Sequence, residues 1–217
     1  MFDNDEMTPT TKYSCADCKR HCCNSDQREH LPANCPLREP ELYQNTVAEY
    51  CCEENHDFYF NSLRVEKEGF YQWPRLRETV EFAKYMGYRK LGLAFCIGLA
   101  AEAKVCADYL RGKGFILSSV ICKNGGIDKR DLGLTLQQTV KESGFEGICN
   151  PIGQARLLAR DETEFNIVLG LCVGHDSLFF QHSQAPVTVL AAKDKILCHN
   201  PIAALSPAAA KYLKNRL

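Results

Sequence analysis

Several things are missing from this 217-residue chain, and each absence removes a class of function. No stretch approaches 18 uninterrupted apolar residues; the longest apolar segment, about Leu91 to Ala101, is too short, so the sequence predicts no membrane-spanning helix. Met1 to Thr11 has neither a basic start nor an apolar run, so it does not read as a secretory leader, and a cytosolic protein is expected. Surplus charge is missing too. The 26 Lys and Arg against 27 Asp and Glu leave a formal net charge of -1, which gives nucleic acid no electrostatic footprint. Neither G-x-G-x-x-G nor G-x-x-x-x-G-K-[ST] occurs, so nucleotide binding has no motif behind it.

What the chain has is cysteine, 13 in all, against otherwise ordinary proportions of hydrophobic (45%) and charged (24%) residues. An odd number of thiols cannot pair completely within one chain, and a reducing cytosol disfavours structural disulfides, so thiolates for metal or redox chemistry are the leading expectation. Seven of the 13 fall in the first 52 residues, and none follows until Cys96. Charge divides in the same way: residues 1–75 hold 8 basic and 14 acidic side chains, residues 76–217 hold 18 and 13. These shifts place a boundary near Trp73-Pro74, with a cysteine-rich, helical N-terminal region over 1–74 and a second domain over 75–217.

Residues 12 to 36 show little periodicity, two prolines and dense cysteine, the pattern of an irregular loop ordered by a metal rather than by a core. Apolar spacing from Glu39 to Lys67 predicts two helices with a break near Glu53 to His56, and Pro74 to Gly87 predicts a third. From Arg89 onward short apolar runs alternate with helical stretches, which is the signature of parallel strand–helix–strand units. Strands are expected at about Lys90 to Cys96, Phe115 to Cys122, Gly144 to Cys149, Asn166 to Cys172 and Val187 to Ala192. Helices are expected at about Leu99 to Gly112, Lys129 to Ser143, from Pro151, and from Pro201 to the chain end. The expected fold is α/β, a small doubly wound, Rossmann- or flavodoxin-like parallel sheet of about five strands.

The expected strands end in cysteine. Cys96, Cys122, Cys149 and Cys172 each close a separate strand, and ligands of open parallel sheets bind just outside those carboxyl ends. Taken singly, each thiol reads as a small buried core residue, as Cys106 does on the apolar face of its helix. Recurrence at equivalent positions favours a shared site instead. In Gly170-Leu171-Cys172-Val173-Gly174-His175-Asp176 the Cys-x-x-His spacing would let Cys172 and His175 reach one ion, with Asp176 free to orient the ring. His199 is a weaker ligand candidate. The same run permits a rival reading as a nucleophile elbow, with Cys172 the catalytic nucleophile and His175 or His199 its base.

At the N-terminus, Cys15-Ala16-Asp17-Cys18, then Cys22-Cys23, then Cys35-Pro36 supply the four thiolates that zinc or an iron–sulfur (4Fe-4S) cube requires. Adjacent side chains in an extended segment point apart, so one of Cys22 and Cys23 is expected to ligate, with Cys23 favoured. Cys51-Cys52 lies on an expected helix and reads as packing plus an exposed thiol.

Cys15-x-x-Cys18 with Cys35-Pro36, Leu91-Gly-Leu-Ala-Phe-Cys96-Ile-Gly-Leu, Val120-Ile-Cys122-Lys, Cys149-Asn-Pro-Ile, Gly170-Leu-Cys172-Val-Gly-His175-Asp176 and Ala185-Pro-Val-Thr together resemble a family of uncharacterised, cysteine-rich metal-binding proteins of anaerobic bacteria and archaea. The resemblance runs from about Cys15 to His199. It implies a metalloprotein of anaerobic cytosol, carries the motif cysteines and His175 as functional positions, and does not choose between Zn2+ and iron–sulfur. The expectation is a protein with two thiolate centres, the second passing electrons to a redox partner protein or binding a small molecule, without nucleic acid or membrane.

Overall fold

The computed structural model describes residues 12–26, 28–141 and 143–206, without the side chain of residue 136. The chain divides into two compact units, Met1–Phe60 and Asn61–Leu217.

In the first unit, three 3-10 turns (Cys15–Asp17, Cys22–Asn24 and Pro36–Arg38) precede helix α1, Pro40–Cys51. Helix α2, Glu53–Gly69, begins here and ends in the second unit. The expected pair of helices is present, with the break at Cys52. Proline opens α1 because its fixed φ suits the first turn, where its missing N–H is not needed. Little of this unit is buried: Leu42, Val47 and Tyr50 on α1 are exposed, and the Tyr50 and Tyr59 rings pack 4.3 Å apart.

In the second unit, α3 (Arg75–Tyr85) leads into β1 (Lys90–Phe95), α4 (Ala100–Gly112), β2 (Ile116–Ile121), α5 (Pro151–Arg160), β3 (Phe165–Leu169), α6 (His175–His182) and β4 (Val187–Ala191). All four strands are parallel, in the order β2-β1-β3-β4. The order reverses between β1 and β3, so this is an α/β fold with its switch point there. Side chains alternate across the sheet with period two. Leu91, Leu93, Ile167 and Leu169 pack with Val80, Phe82 and Ala83 of α3 and Ala103, Cys106, Ala107 and Leu110 of α4. Ala94 and Val168 face the other way, toward Ala155 and Leu158 of α5 and Phe179 of α6. Cys96 and Cys122 belong to that second face.

Two sequence expectations fail between β2 and α5. Four strands form among the described residues, not five, because Gly144 to Cys149 contributes only an isolated antiparallel bridge, Asp128 with Gly147. Lys129 to Ser143 is not a helix but two 3-10 turns, Lys129–Leu132 and Leu136–Gln138. The apolar residues that suggested regular structure have no core to enter: Leu132, Val140 and Phe145 are exposed. The segment is ordered by polar contacts instead. Asp128 caps the first turn, takes a paired contact from the Arg130 guanidinium at 2.9 and 2.8 Å and accepts the Glu146 N–H, while Gly133 at φ 78° ends the turn. The expected C-terminal helix begins as a 3-10 turn, Pro201–Leu205, and its remainder lies outside the described residues.

Candidate metal–thiolate centres

Cys96 follows β1 and Cys122 follows β2, each continuing the alternation of its strand; they are 8% and 2% exposed. The Cys122 N–H still donates to Phe95 O (2.8 Å) and the Cys96 N–H to Leu169 O (3.1 Å), so both thiols ride on the sheet ladder. Cys149 reaches the same place without a strand. Asn150 N–H donates to Cys122 O (2.8 Å), the Asn124 side-chain amide to Asn150 O (3.0 Å) and the Lys123 ammonium to Gly147 O (2.6 Å). Asn150 then caps α5 by accepting the Gly153 N–H at 2.8 Å. Cys172 lies beyond β3, after Gly170, whose φ of 70° and lack of a side chain are both required: a β-carbon there would come within 2.2 Å of Leu99 Cδ1.

The four thiols act on one another. Burial pushes the Cys122 thiol up to about 12; the Ile97 N–H, 3.3 Å from its sulfur, opposes this, while Cys149 and Cys96 add to it. Cys149 packs against the same cluster as Cys122. Burial raises the Cys172 thiol as well, with Cys96 and Cys149 contributing, against the lowering influence of Lys195 and Lys193. Cys122 and Cys172 thus each lie within reach of charge on Cys96 and Cys149. Beneath them Gln154, fully buried, donates from one amide nitrogen to Phe95 O (3.2 Å) and Val120 O (2.7 Å), tying the tips of β1 and β2. Its Oε1 has no partner among the described residues.

In the first unit the cysteines sit on turns. A cavity of about 420 Å³ is lined by Cys15, Cys18, Cys22, Cys23 and Cys35, with Tyr43 at its wall. The loop is held by backbone carbonyls and arginines: Cys18 N–H to Cys15 O (3.1 Å), Arg28 to Cys22 O (2.6 Å), Arg20 to His30 O (2.7 Å) and Arg38 to Leu31 O (2.6 Å). Backbone N–H groups of His21 and Arg20 point at the Cys18 sulfur and hold its thiol below the ordinary value, with His21 in the left-handed region at φ 50°. Cys22 and Cys23 occupy a tight turn, not the extended segment on which the choice between them was based, and both line the cavity.

Among the described residues, no three His, Cys, Asp or Glu side chains are gathered closely enough to hold one ion as they stand. Each set of thiols converges without closing into a cage. The donor chemistry nonetheless fits a thiophilic metal: thiolates in fours, N–H donors on two of the sulfurs, and space lined by cysteine.

The other expected site residues make mostly local contacts. His175 is the first residue of α6 and half-buried; its N–H and that of Asp176 both donate to Cys172 O, at 3.0 and 3.1 Å. Asp176 accepts from Ser177 N–H (2.8 Å), a local contact. His199 accepts Asp194 N–H on Nδ1 (3.1 Å) and donates its own N–H to Asp194 O (2.9 Å), pinning the loop after β4. Cys51, Cys52 and Cys198 are exposed, and Cys106 is a core residue whose thiol burial raises to about 11. A nucleophile elbow needs a strained turn that passes at once into a helix. Cys172 is not among the described non-glycine residues with positive φ, and α6 starts only at His175.

Lys193, Lys195, Gln154 and Asn150 were not found from the sequence. The rule that marked the strand-end cysteines applied equally to Lys193, which directly follows the expected fifth strand.

A family model described as a protein of unknown function, DUF1847, matches residues 35–190, a span that begins at Cys35 and contains all four strand-end cysteines. The uncharacterized protein MJ0455 of Methanocaldococcus jannaschii is 38% identical over 191 residues, covering 88% of this chain and 92% of that one. No solved structure matches. The chain therefore belongs to the DUF1847 family.

Proposed function

We propose that this is a cytosolic metal–thiolate protein with two centres. Cys15, Cys18, Cys35 and one of Cys22 and Cys23 would hold the first; Cys96, Cys122, Cys149 and Cys172 would hold the second. The observation that carries the reading is the delivery of thiols from separate loops to the carboxyl ends of the strands, where Cys96, Cys122 and Cys149 cluster and Cys96 and Cys149 act on Cys172 as well. Unrelated core cysteines have no reason to meet there, whereas Cys106 shows what a packing thiol looks like. An iron–sulfur cluster is favoured over zinc, since N–H donors to sulfur and a largely buried thiol set are the levers that tune a cluster's potential. Bound there, a cluster would supply electrons to a redox partner protein or an open iron for a small molecule.

The rival reading, a hydrolase or transferase using Cys172 with His175, requires a thiolate-prone sulfur. Burial and the neighbouring thiols push Cys172 in the opposite direction, which weighs against it.

The test is metal and acid-labile sulfide analysis, with an absorption spectrum, on protein purified without oxygen. Iron with sulfide and a broad visible band is the expected result. Zinc without sulfide would make both centres zinc sites, and metal-free protein that modifies a thiol-reactive ester stoichiometrically at Cys172 would overturn the reading in favour of the nucleophile.

A further inference from the structure

The loop after β4 carries Lys193 to the strand-end thiols, with Lys195 two residues further on. Lys193 is half-buried; its N–H donates to Leu171 O at 3.3 Å, which fixes the residue beside the Cys172 loop. Its side chain crosses the edge of the sheet between two glycines. A β-carbon on Gly170 would lie 3.8 Å from Lys193 Cδ, and one on Gly98 would lie 3.0 Å from Lys193 Nζ and 3.9 Å from Cys96 Sγ. The ammonium and the Cys96 sulfur are therefore no more than about 7 Å apart, close enough for a strong interaction in a partly dry site. Lys195 also acts on Cys172.

Neither lysine is spoken for. Among the described residues, no carboxylate lies within ion-pair distance of either. Asp194, between them in sequence, uses Oδ1 to accept the N–H groups of Ile196 and Leu197 at 2.9 and 2.8 Å. Lys193, half-buried and with no acid beside it, is free to face an anion that arrives. The thiols themselves, once ionised and metal-bound, are that anion: four thiolates exceed the charge of a zinc ion or an oxidised 4Fe-4S core by about two units.

We propose that Lys193 is the counter-charge of the strand-end centre and a positioning residue that sets how tightly its thiolates hold metal. The inference rests on the metal–thiolate reading of Cys96, Cys122, Cys149 and Cys172. It specifies which group binds: one that leaves the thiolate set net negative, so that the lysine favours the loaded state.

Anaerobic titration of the reduced, full-length Cys15→Ser/Cys18→Ser/Cys22→Ser/Cys23→Ser/Cys35→Ser chain with Co2+, read by thiolate-to-cobalt absorption, tests this without the N-terminal thiol set. Lys193→Met is expected to weaken Co2+ binding by roughly 10- to 100-fold, the usual cost of losing an outer partner of a metal site. Lys193→Arg should regain most of the affinity, and the thermal midpoint of the metal-free chain should be unchanged in both. Undiminished binding by Lys193→Met would overturn the inference and leave the metal reading intact. Equal weakening in the Met and Arg variants with a lowered midpoint would overturn it in favour of packing by the lysine stem. No thiolate–cobalt band in the parent chain would overturn the strand-end centre itself.

Discussion

The two cysteine sets use one chemical group in opposite physical settings. Around the N-terminal cavity the thiols sit on turns with little buried apolar surface, and backbone N–H groups favour the ionised form of Cys18. At the strand ends, Cys96 and Cys122 are carried by a packed sheet, and burial favours the neutral form of Cys122. The first arrangement makes metal binding easy and leaves order dependent on it; the second supplies order in advance and makes deprotonation the costly step. What distinguishes them is whether the backbone that presents the sulfur is held by a hydrophobic core.

The largest effect expected from this contrast follows metal removal. Chelation should abolish slow amide hydrogen exchange over residues 12–38 while leaving β1 and β3 protected, as read by exchange mass spectrometry; loss of protection in both regions would erase the contrast. Next is reactivity. In metal-free protein near pH 8, the Cys122 thiolate fraction should be roughly a thousandfold below that of an ordinary thiol, so alkylation should reach the N-terminal cysteines first. The same raised value has a consequence for stability. Because the folded thiol keeps its proton to about 12 while the unfolded one loses it near 9, the unfolded state binds fewer protons above pH 9. The Cys122 contribution to the stability of the metal-free α/β unit should thus be constant below that pH and fall as pH rises from about 9 toward 12, with Cys106 and Cys172 acting in the same direction, measurable by urea melts over that alkaline range.

Smaller effects sharpen the comparison from the side of the fold. Leu93→Ala, at a fully buried position of β1, should destabilise the α/β unit by about 2–5 kcal/mol in urea unfolding, with N-terminal metal content unchanged. Asn150→Ala removes the cap of α5 and should cost about 1 kcal/mol while loosening the loop that carries Cys149.

The sequence made the sheet legible because burial leaves a simple trace. Leu91, Leu93 and Phe95 alternate with Gly92, Ala94 and Cys96, and that parity alone sends Cys96 and Cys122 to the same face of a parallel sheet. Cys149 lies next to an asparagine that bonds Cys122 O, although no strand carries it there. Gly144 to Cys149 imitates a strand in composition, yet Asn124, Lys123 and Asn150 position it through hydrogen bonds that no periodicity records. Lys193 escaped because a lysine after a strand looks like solvated surface until its side chain is seen to run past Gly170 and Gly98 toward Cys96. At His175 the Cys-x-x-His spacing coincides with a helix start whose backbone N–H groups bond Cys172 O.

The claim of two separate centres is tested most directly by counting metal per chain, after anaerobic purification, in Cys15→Ser/Cys18→Ser, in Cys172→Ser and in the combined variant. Two centres predict that each of the first two loses one share of the metal and that the combined variant loses both. Unchanged metal content in Cys172→Ser, with the N-terminal variant empty, would contradict the account and leave the strand-end thiols as core.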